Sequence, residues 1–502
     1  MGDHLFGSAD AGVGSANGSD GVRVRGGKRF IDLPGREQVS LQIRCVDDMV
    51  ASDAYVRVLD EVMDELDYSA LKCRYPGGGR PAHPPHLLCR LWVYAYTVGV
   101  RSARELSRRL ETDLAFMWLA RELRIDHETL SNFRRRFGEE LKGIFKQTVV
   151  LAQEADLVSL AHVAIDGTKI AAHAERWMKD SDGLDRALSR LDERIDKLLA
   201  ESDAADAAED EALGRARGDE VSKELATAQR RRERIREAKE YLEEHGLDRV
   251  SVTDPEAPLQ KTQDGKRPGY NCQAAVDAEA GIIVAESVSV SQNDRHEFFG
   301  VADSVVETTG RAPSEFAADS GYYSPETLMA LESRDDVNAQ IRPQLTGDEQ
   351  AGRFEYHDFE YDSERDEYRC PGGGVLSFEK TVERRGTRSR SYRCLGSACK
   401  SCEFRGQCLR GDGRRRSILV PPHGSALTKL RRKAETAAGQ AASLLRKCTV
   451  ERVFGVIKAV MGLRQFLLRG LAGAAIEFRL AAIATNVQKL ARWRLGQVGS
   501  AS

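Results

Sequence analysis

The chain has 502 residues, of which 41% are apolar, 7% aromatic and 30% charged, and its formal net charge is −3. This length is enough for about two to four folded units. The sequence has no apolar run of eighteen or more residues and no basic flank followed by an apolar stretch at its N-terminus. These absences argue against a helical membrane span and a signal peptide. We therefore expect a cytoplasmic protein without a membrane partner.

Helices are predicted after an N-terminal tail. Residues 1–35 are rich in Gly, Ser and Asp, which predicts disorder, whereas residues 36–150 are predicted to be all-helical. Within them, HLLCRLWVYAYTVGV is apolar but too short to cross a bilayer, and it predicts a buried helix. Ser102 and Glu105 predict a capping box that opens the next helix. Asp126 predicts an N-cap before HETLSNFRRRF.

That last helix carries three consecutive arginines, Arg134, Arg135 and Arg136. A compact set of short helices ending in a basic one favours a helix-turn-helix-like DNA-binding unit, and a purely structural helical domain is the alternative. Because the net charge is negative, DNA binding would need such local patches. Further basic stretches occur near residues 383–393, 414–416 and 429–433. Each stretch is also compatible with an ordinary solvated face.

Strands and inserted helices follow. Residues 155–179 are apolar and β-branched around Gly167, which predicts strand–turn–strand. Residues 180–247 predict an inserted antiparallel helical hairpin with a break near 214–219. YNCQAAVDAEAGIIVAESVSV predicts a β-hairpin, and SEFAAD predicts a short strand ending at Asp319.

The predicted strands lie on both sides of the hairpin. Residues 155–179, 248–348 and 413–495 together predict one α/β core that is divided in sequence and closed by a long C-terminal helix. Residues 349–412, which hold a cluster of cysteines, predict a second insertion.

Three carboxylates occur on similar apolar segments: Asp166 in HVAIDGTKI, Asp319 in EFAADSGYY and Glu451 in TVERVFGVIK. Taken alone, each acid is better explained by a turn or by a solvated helix face than by catalysis. Together they match the needs of phosphoryl transfer on DNA, where a few converging carboxylates hold two divalent metals. The trio, with basic neighbours, favours a polynucleotidyl transferase.

Glu451 is predicted at the start of a helix whose apolar positions are Val450, Phe454, Ile457 and Met461. Lys458 follows Glu451 by seven residues, so both side chains lie near one side of that helix and could approach one phosphate backbone. Lys169 could also touch a phosphate, or be simply exposed. Asn271 and Asp277 are predicted to fix a turn and to open the hairpin loop.

Five of the ten cysteines lie within residues 370–408. Cys399 and Cys402 form a CxxC pair, the spacing that lets two thiolates share one tetrahedral metal. Cys370 and Cys408 would complete four ligands, with Cys394 as an alternate. A structural Zn²⁺ site is therefore predicted, and a metal-free segment is the alternative.

Several motifs resemble those of the DDE transposases of bacterial insertion sequences. They are DGTK at 166–169, RPGYNCQAAVD at 267–277, AADSGYYS at 317–324 and ERVFGVIKAVMGLRQFLLRG at 451–470. The likeness is strongest to the IS1182 group of the IS5/IS4-like set. The segment starting PHLLCRLWVYAYT resembles the InsH-type N-terminal domain of the same proteins. The resemblance spans roughly residues 40–495, in the same motif order.

The resemblance implies an RNase H-like α/β catalytic core, interrupted by the helical hairpin and the Cys-rich segment and preceded by an all-α DNA-binding domain. It implies that Asp166, Asp319 and Glu451 form the catalytic triad that binds Mg²⁺ or Mn²⁺. Lys458 matches the downstream basic residue of the third motif, and Arg446 or Lys447 the upstream one, in contact with DNA. The upstream Tyr of the family is missing, and Leu444 stands near its place. The family also favours Cys370, Cys399, Cys402 and Cys408 as the zinc ligands.

The function that follows is metal-dependent cleavage at the ends of an insertion sequence and strand transfer into target DNA. The implied partners are the terminal inverted repeats and the target DNA, bound by a homo-oligomer associated with the nucleoid. Two alternatives are a nuclease of the same fold without strand transfer, and a DNA-binding derivative that has lost catalysis. The intact Asp–Asp–Glu set argues against the second alternative.

Overall fold

The N-terminal part of the computed structural model is a set of short helices around a buried one. The structure describes residues 45–75, 81–213, 223–262, 265–334, 336–343, 350–384, 387–394, 398–409 and 413–500. The predicted tail and the predicted break in the hairpin lie outside these residues. Residues Val46–Ser502 form one compact unit. None of the helices in the described ranges is long and apolar enough to cross a membrane.

After a 3₁₀ turn at Val46–Met49, the N-terminal helices are α1 (Tyr55–Asp64), α2 (Ser69–Cys73), α3 (Pro85–Thr97), α4 (Ala103–Thr112), α5 (Leu114–Leu119), α6 (His127–Arg136) and α7 (Gly138–Glu154). Helix α3 is buried from Leu87 to Thr97, which confirms the predicted buried helix. Asp126 caps α6 by accepting a hydrogen bond from the Thr129 N–H at 2.8 Å, as predicted.

The predicted capping box at α4 is wrong. Ser102 occupies the N-cap position, but its side chain makes no capping hydrogen bond. Glu105 instead accepts from Arg109 Nε at 3.0 Å, one turn further along the helix. The Glu105 carboxylate therefore pairs with arginines of its own helix and does not close the predicted box.

The central sheet has six strands: β1 (His162–Ala171), β2 (Leu259–Thr262), β3 (Gly265–Asp277), β4 (Ile283–Ser289), β5 (Glu315–Ala318) and β6 (Ala339–Ile341). Their order is β2-β3-β1-β5-β6, and β4 also pairs with β3. β3 lies antiparallel to β1 and β4, whereas β5 lies parallel to β1 and β6. The predicted β3–β4 hairpin and the short β5 strand are confirmed.

β1 is one continuous strand, so the predicted turn at Gly167 is wrong. Gly167 lies opposite Gln273 of β3. A Cβ on Gly167 would stand 2.6 Å from both Asp294 Oδ1 and Gln273 Nε2. The glycine therefore marks a close approach of side chains to a strand, which is the other common reason for Gly in this setting.

Helices α8 (Ser181–Leu213) and α9 (Lys223–Glu244) form the predicted hairpin. Salt bridges between the two helices, such as Lys239–Asp185 at 2.6 Å and Arg232–Asp192 at 3.2 Å, show that the helices run antiparallel. The hairpin has small apolar clusters of its own, separate from the main core. A backbone bridge between Lys179 and Val250 closes its base.

Two further helices, α10 (Phe298–Thr309) and α11 (Pro325–Ser333), flank β5 in sequence. The Cys-rich segment then forms a second sheet, all antiparallel, of β7 (Glu360–Asp362), β8 (Glu367–Arg369), β9 (Val375–Arg384), β10 (Thr387–Cys394) and β11 (Ser417–Val420), with the short helix α12 (Arg405–Cys408) between β10 and β11.

The basic stretch near residues 383–393 lies on this second sheet. Three of its arginines pair with acids of the same sheet or its turns: Arg388 with Glu383, Arg390 with Asp366 and Arg393 with Glu379. Much of its positive charge is therefore balanced locally.

The chain ends in α13 (Gly424–Glu435), α14 (Ala437–Gly455) and α15 (Gly470–Ser500), with a π-helical turn at Val456–Val460. Val450, Phe454, Ile457 and Met461 are buried, as predicted. Glu451 was predicted to start a helix, but it lies near the end of α14. The helix already begins at Ala437, where Thr436 caps it by accepting a hydrogen bond from the Gly439 N–H. Helix α14 packs on β1, and α15 packs between the N-terminal helices and β4.

Candidate active site

Two aspartates lie side by side on neighbouring parallel strands. Asp166 is in the middle of β1, and Asp319 directly follows the last residue of β5. The register places Ile165 opposite Ala318. The next residue on each strand is an aspartate, and in a parallel pair such neighbours share one face of the sheet. The fold thus brings together two acids that are 153 positions apart in sequence.

The surroundings of Asp166 oppose its ionisation. Burial raises the pKa of Asp166 to about 6; the cation of Arg446 acts in the opposite direction, and the negative charge of Asp319 adds to the rise. Arg446 Nη1 donates to Asp166 Oδ2 at 2.7 Å. The Gly167 N–H donates to Asp166 Oδ1 at 2.8 Å. Asp166 is therefore a carboxyl group that needs a nearby cation to stay ionised at neutral pH.

Asp319 is fixed by the backbone that follows it. It caps the 3₁₀ turn Ser320–Tyr322, and its Oδ1 accepts from the Gly321 N–H at 2.7 Å. A Cβ on Gly321 would stand 2.9 Å from Asp319 Oδ1. The glycine two residues after the acid therefore permits the turn that orients the carboxylate.

A polar network next to this pair centres on Asp294, a residue that the sequence did not single out. Asp294 Oδ1 accepts from Lys169 Nζ at 3.0 Å, from Asn271 Nδ2 at 2.8 Å and from Gln273 Nε2 at 2.7 Å. The Tyr322 hydroxyl donates to Gln273 Oε1. Three donors on one oxygen fix Asp294 beside Gly167, and the network supports the strand that carries Asp166.

The structure also tests the predictions for Asn271, Lys169 and Asp277. Asn271 lies within β3 and holds Asp294, so its predicted role in a turn is wrong. Lys169 is paired with Asp294. Asp277 does open the hairpin loop: its Oδ1 accepts from the Glu279 N–H at 3.0 Å, and its Oδ2 accepts from the Leu160 N–H at 2.8 Å.

The third predicted acid, Glu451, stands apart from the pair. It is exposed on α14, the helix that also carries Arg446. Five residues along an α-helix correspond to a rotation of about 140°, so the two side chains leave different faces. Within the described ranges, no group of three or more His, Cys, Asp or Glu side chains is arranged to hold a metal ion. The structure thus places Arg446, and not Glu451, against Asp166.

The other basic residues predicted to bind DNA fall into two groups. Lys447, Arg135 and Arg136 are exposed. Lys458 is half-buried, and burial lowers its pKa. Arg136 also donates to the Arg74 carbonyl at 2.6 Å.

Arg134 corrects the prediction for the arginine run. Its side chain is 4% exposed, and its guanidinium lies 4.4 Å from the ring centre of Trp92. It donates to the Arg101 carbonyl at 2.9 Å and approaches the fully buried Glu477 at 3.8 Å. A guanidinium held in this way cannot reach a DNA backbone. Arg134 therefore ties α6 to the C-terminal helix.

The five clustered cysteines line one small cavity, but they do not form a metal site. Cys370, Cys394, Cys399, Cys402 and Cys408 all border it. Burial raises the pKa of Cys394 to about 12, and it also raises the pKa of Cys408. Among the residues that the structure describes, these cysteines are not part of any group of three or more side chains arranged to hold a metal ion. The predicted Zn²⁺ site on Cys370, Cys399, Cys402 and Cys408 is therefore not supported.

Two parts of the chain match known protein families. Residues 369–491 match the family model described as transposase DDE domain, and residues 44–136 match the transposase domain DUF772. No curated protein matches the chain. The first match contains Glu451, whereas Asp166 and Asp319 precede it.

The two family matches indicate a DDE transposase, an enzyme that cuts and joins polynucleotides. More particularly, they indicate a transposase of the insertion-sequence kind with an N-terminal DUF772 domain. The sequence-based prediction of a DNA-binding transposase is confirmed at this level.

Proposed function

We propose that Asp166, Asp319 and Glu451 are the catalytic carboxylates, and that they act in cleavage at the element's ends and in strand transfer to target DNA. The observation that carries this proposal is the parallel register that sets Asp319 beside Asp166. An isolated pair of half-buried acids is unfavourable unless a cation joins it, and DNA cleavage is a reaction that uses such a pair.

We propose that the central sheet is an RNase H-like core, with residues 180–247 and 349–412 as insertions. The mixed sheet, with acids on adjoining parallel strands and α14 packed on β1, supports this assignment. The hairpin leaves and rejoins the core at the Lys179–Val250 bridge, as an insertion would. Membership of the IS1182 group remains part of the proposal.

DDE transposases generally use divalent metal ions, and the residues present fit Mg²⁺ or Mn²⁺. Asp166 and Asp319 offer carboxylate oxygens, the donors that Mg²⁺ prefers, and Mg²⁺ sites often use only one or two carboxylates. The raised pKa of Asp166, caused by burial and opposed by Arg446, fits a position where a cation is needed. When bound, such ions activate the attacking hydroxyl and stabilise charge on the leaving oxygen.

Glu451 enters the proposal through its helix. Arg446 anchors α14 on Asp166, and Glu451 lies about 7.5 Å further along the same helix axis. Lys447 lies one turn before Glu451, on the same side of α14. We propose that the C-terminal end of α14 shifts when DNA binds, so that Glu451 approaches the aspartate pair, while Lys447 keeps its position and contacts the backbone. Lys458 follows in the π-helical turn, where it is half-buried, and would contact the strand further along.

The proposed partners are the terminal inverted repeats and the target DNA. Arg135 and Arg136 at the exposed end of α6 would contact the DNA backbone. An element has two ends, so a homo-oligomer of at least two copies would assemble on DNA. The protein would then be found with the nucleoid.

The experiment compares purified full-length protein with its Asp166→Ala variant on duplexes made from the DNA that flanks the gene. Losing a direct metal ligand is expected to cut end cleavage by more than about 100-fold, because removing only a supporting residue already costs about 10–100-fold. DNA affinity should stay unchanged. Asp196→Ala, an exposed carboxylate on α8, is the control and should cleave normally.

Two results would change the assignment. Normal cleavage by Asp166→Ala would remove Asp166 from the active site. Cleavage by the wild-type protein without any joining of pre-cleaved 3′ ends to a second duplex would point to a nuclease.

A further inference from the structure

A cavity of about 420 Å³ lies at the carboxyl end of β5, the strand that leads to Asp319. Its floor includes Ala317 and Ala318, the last two residues of β5. Asp319 follows Ala318 directly in the chain. Its walls come from the segment after β6, the end of α13 and the first half of α14. In open α/β sheets, ligands bind at this edge, outside the carboxyl ends of parallel strands.

The cavity is lined by more positive than negative charge. Arg342, Arg431 and Lys447 border it from three different elements, against one acid, Glu435. Arg342 and Lys447 are exposed, whereas Arg431 is buried, with only 7% of its surface exposed. Among the described residues, neither Arg342 nor Lys447 has an acidic partner within 4 Å, in contrast to the paired arginines of the second sheet.

The remaining wall is suited to a nucleotide. Gln340, Gln440 and Ser443 supply neutral hydrogen-bonding groups, and Leu444, 65% exposed, gives an apolar rim. The volume lies in the range of ordinary ligand pockets, about 300–1,000 Å³. Guanidinium groups recognise phosphate oxygens in pairs, and a lysine adds a point charge. The set matches one phosphate with its attached sugar and base.

We propose that this cavity binds one nucleotide of the DNA strand next to the cleaved bond, with Arg342, Arg431 and Lys447 holding its phosphate. The inference rests on the proposed role of Asp166 and Asp319, because the cavity adjoins Asp319. It adds Arg342 and Arg431 as residues that position the strand. Neither Arg342 nor Arg431 lies in the sequence motifs that resemble the transposase family.

The test measures DNA binding without cleavage, in EDTA, with a fluorescein-labelled 40-base-pair duplex of the DNA flanking the gene. Each phosphate contact contributes about 0.9 to the slope of log affinity against log salt. Arg342→Ala and Lys447→Ala should each lower that slope by about one. Both side chains are exposed, so the variants should fold, and a thermal melt confirms this.

Arg311→Ala is the matched control. Arg311 is exposed and lies just before β5, at the opposite end of the strand that leads to Asp319. Its removal should leave the salt slope unchanged. Slopes that stay at the wild-type value in both cavity variants would overturn the proposal, and so would an equal loss in the control.

A second measurement locates the contact. Duplexes that carry one neutral methylphosphonate are scanned along the strand. The proposal requires one position, beside the cleaved bond, where neutralisation weakens binding of the wild-type protein more than that of Arg342→Ala. Equal weakening of both proteins at every position would contradict it.

These results are separable from those for the active site. If Asp166→Ala fails to cleave while Arg342→Ala binds as the wild type does, only the cavity assignment falls. If Asp166→Ala still cleaves, the proposed active site falls first.

Discussion

Asp166 is held between two opposing influences, and this balance governs how the site responds to pH. Burial and the neighbouring Asp319 favour its neutral form, whereas Arg446 favours its carboxylate. A residue in this state can bind a cation only after losing its proton. When no metal ion is bound, the guanidinium of Arg446 is therefore the cation that stabilises the Asp166 carboxylate.

End cleavage at Mg²⁺ levels well below saturation should fall as the pH drops through about 6, because the Asp166 carboxylate becomes protonated. Arg446 lowers the pKa of Asp166, so Arg446→Gln should move the midpoint to higher pH. Single-turnover cleavage measured from pH 5 to 9 checks the sign. A midpoint that moves downward, or does not move, would contradict this role of Arg446.

Gly167 should not tolerate a side chain, because Asp294 Oδ1 and Gln273 Nε2 would lie 2.6 Å from its Cβ. Gly167→Ala is expected to lower the free energy of unfolding by about 1–3 kcal/mol, the usual effect of overpacking. Urea unfolding provides the measurement. Gly300→Ala, on α10 with nothing within 4 Å of the new Cβ, should instead be neutral or stabilise by up to about 1 kcal/mol. Equal effects of the two changes would refute the close packing over β1.

At the scale of elements, the helices before β1 are joined to the C-terminal helix through a buried carboxylate. Glu477 on α15 is fully buried, and its Oε1 accepts from the Leu467 N–H at 2.6 Å. Its Oε2 lies 3.6 Å from Arg101 and 3.8 Å from Arg134. One carboxylate thus connects the loop after the π-helical turn with α6 and the start of α4.

Arg134→Ala should therefore destabilise the fold, while its neighbour Arg135→Ala should not. The first change removes a buried partner of Glu477 and is expected to cost at least about 2 kcal/mol. The second removes an exposed side chain and should cost less than about 0.5 kcal/mol. Urea unfolding of both variants, with DNA binding measured in parallel, distinguishes the roles. Weaker DNA binding by Arg134→Ala with unchanged stability would restore the original prediction for this residue.

The sequence predicted elements better than contacts. Periodicity was sufficient for α3, the α8–α9 hairpin and the β3–β4 hairpin, since those signals are local. It could also have placed Arg134, which lies four residues after Leu130 and three before Phe137, on their buried face. No local signal could pair Asp166 with Asp319, because a parallel register forms across intervening elements. Asp294 was missed because SQNDRHE has the composition of an ordinary polar loop.

At the scale of the whole molecule, one continuous core joins the N-terminal helices, the central sheet and the C-terminal helices, and the hairpin stands outside it. Two apolar clusters, one around Leu184 and Leu242 and the other around Ile195, stabilise the hairpin internally. Its two connections meet at one backbone bridge. The hairpin is thus an appendage of the core and not one of its layers.

Replacing residues 181–249 with a short Gly-Ser linker should leave the core folded, because Lys179 and Val250 are already adjacent. Circular dichroism should show a loss of helix signal but a single cooperative thermal transition. The wild-type protein and a variant with only the linker inserted near residue 246 are the controls. Loss of cooperative unfolding would mean that the hairpin is part of the core.

Whether the three acids share one metal site can be measured on the protein bound to a duplex of the DNA that flanks the gene. Protein loaded with Fe²⁺ in place of Mg²⁺ is treated with ascorbate and peroxide, and the backbone cuts made by hydroxyl radicals are mapped by mass spectrometry. Cuts are expected near residues 166, 319 and 451, and they should be suppressed by excess Mg²⁺ and lost in Asp166→Ala. Cuts near 166 and 319 alone would remove Glu451 from the site. Cuts that avoid both aspartates would contradict the assignment of this pair as the catalytic centre.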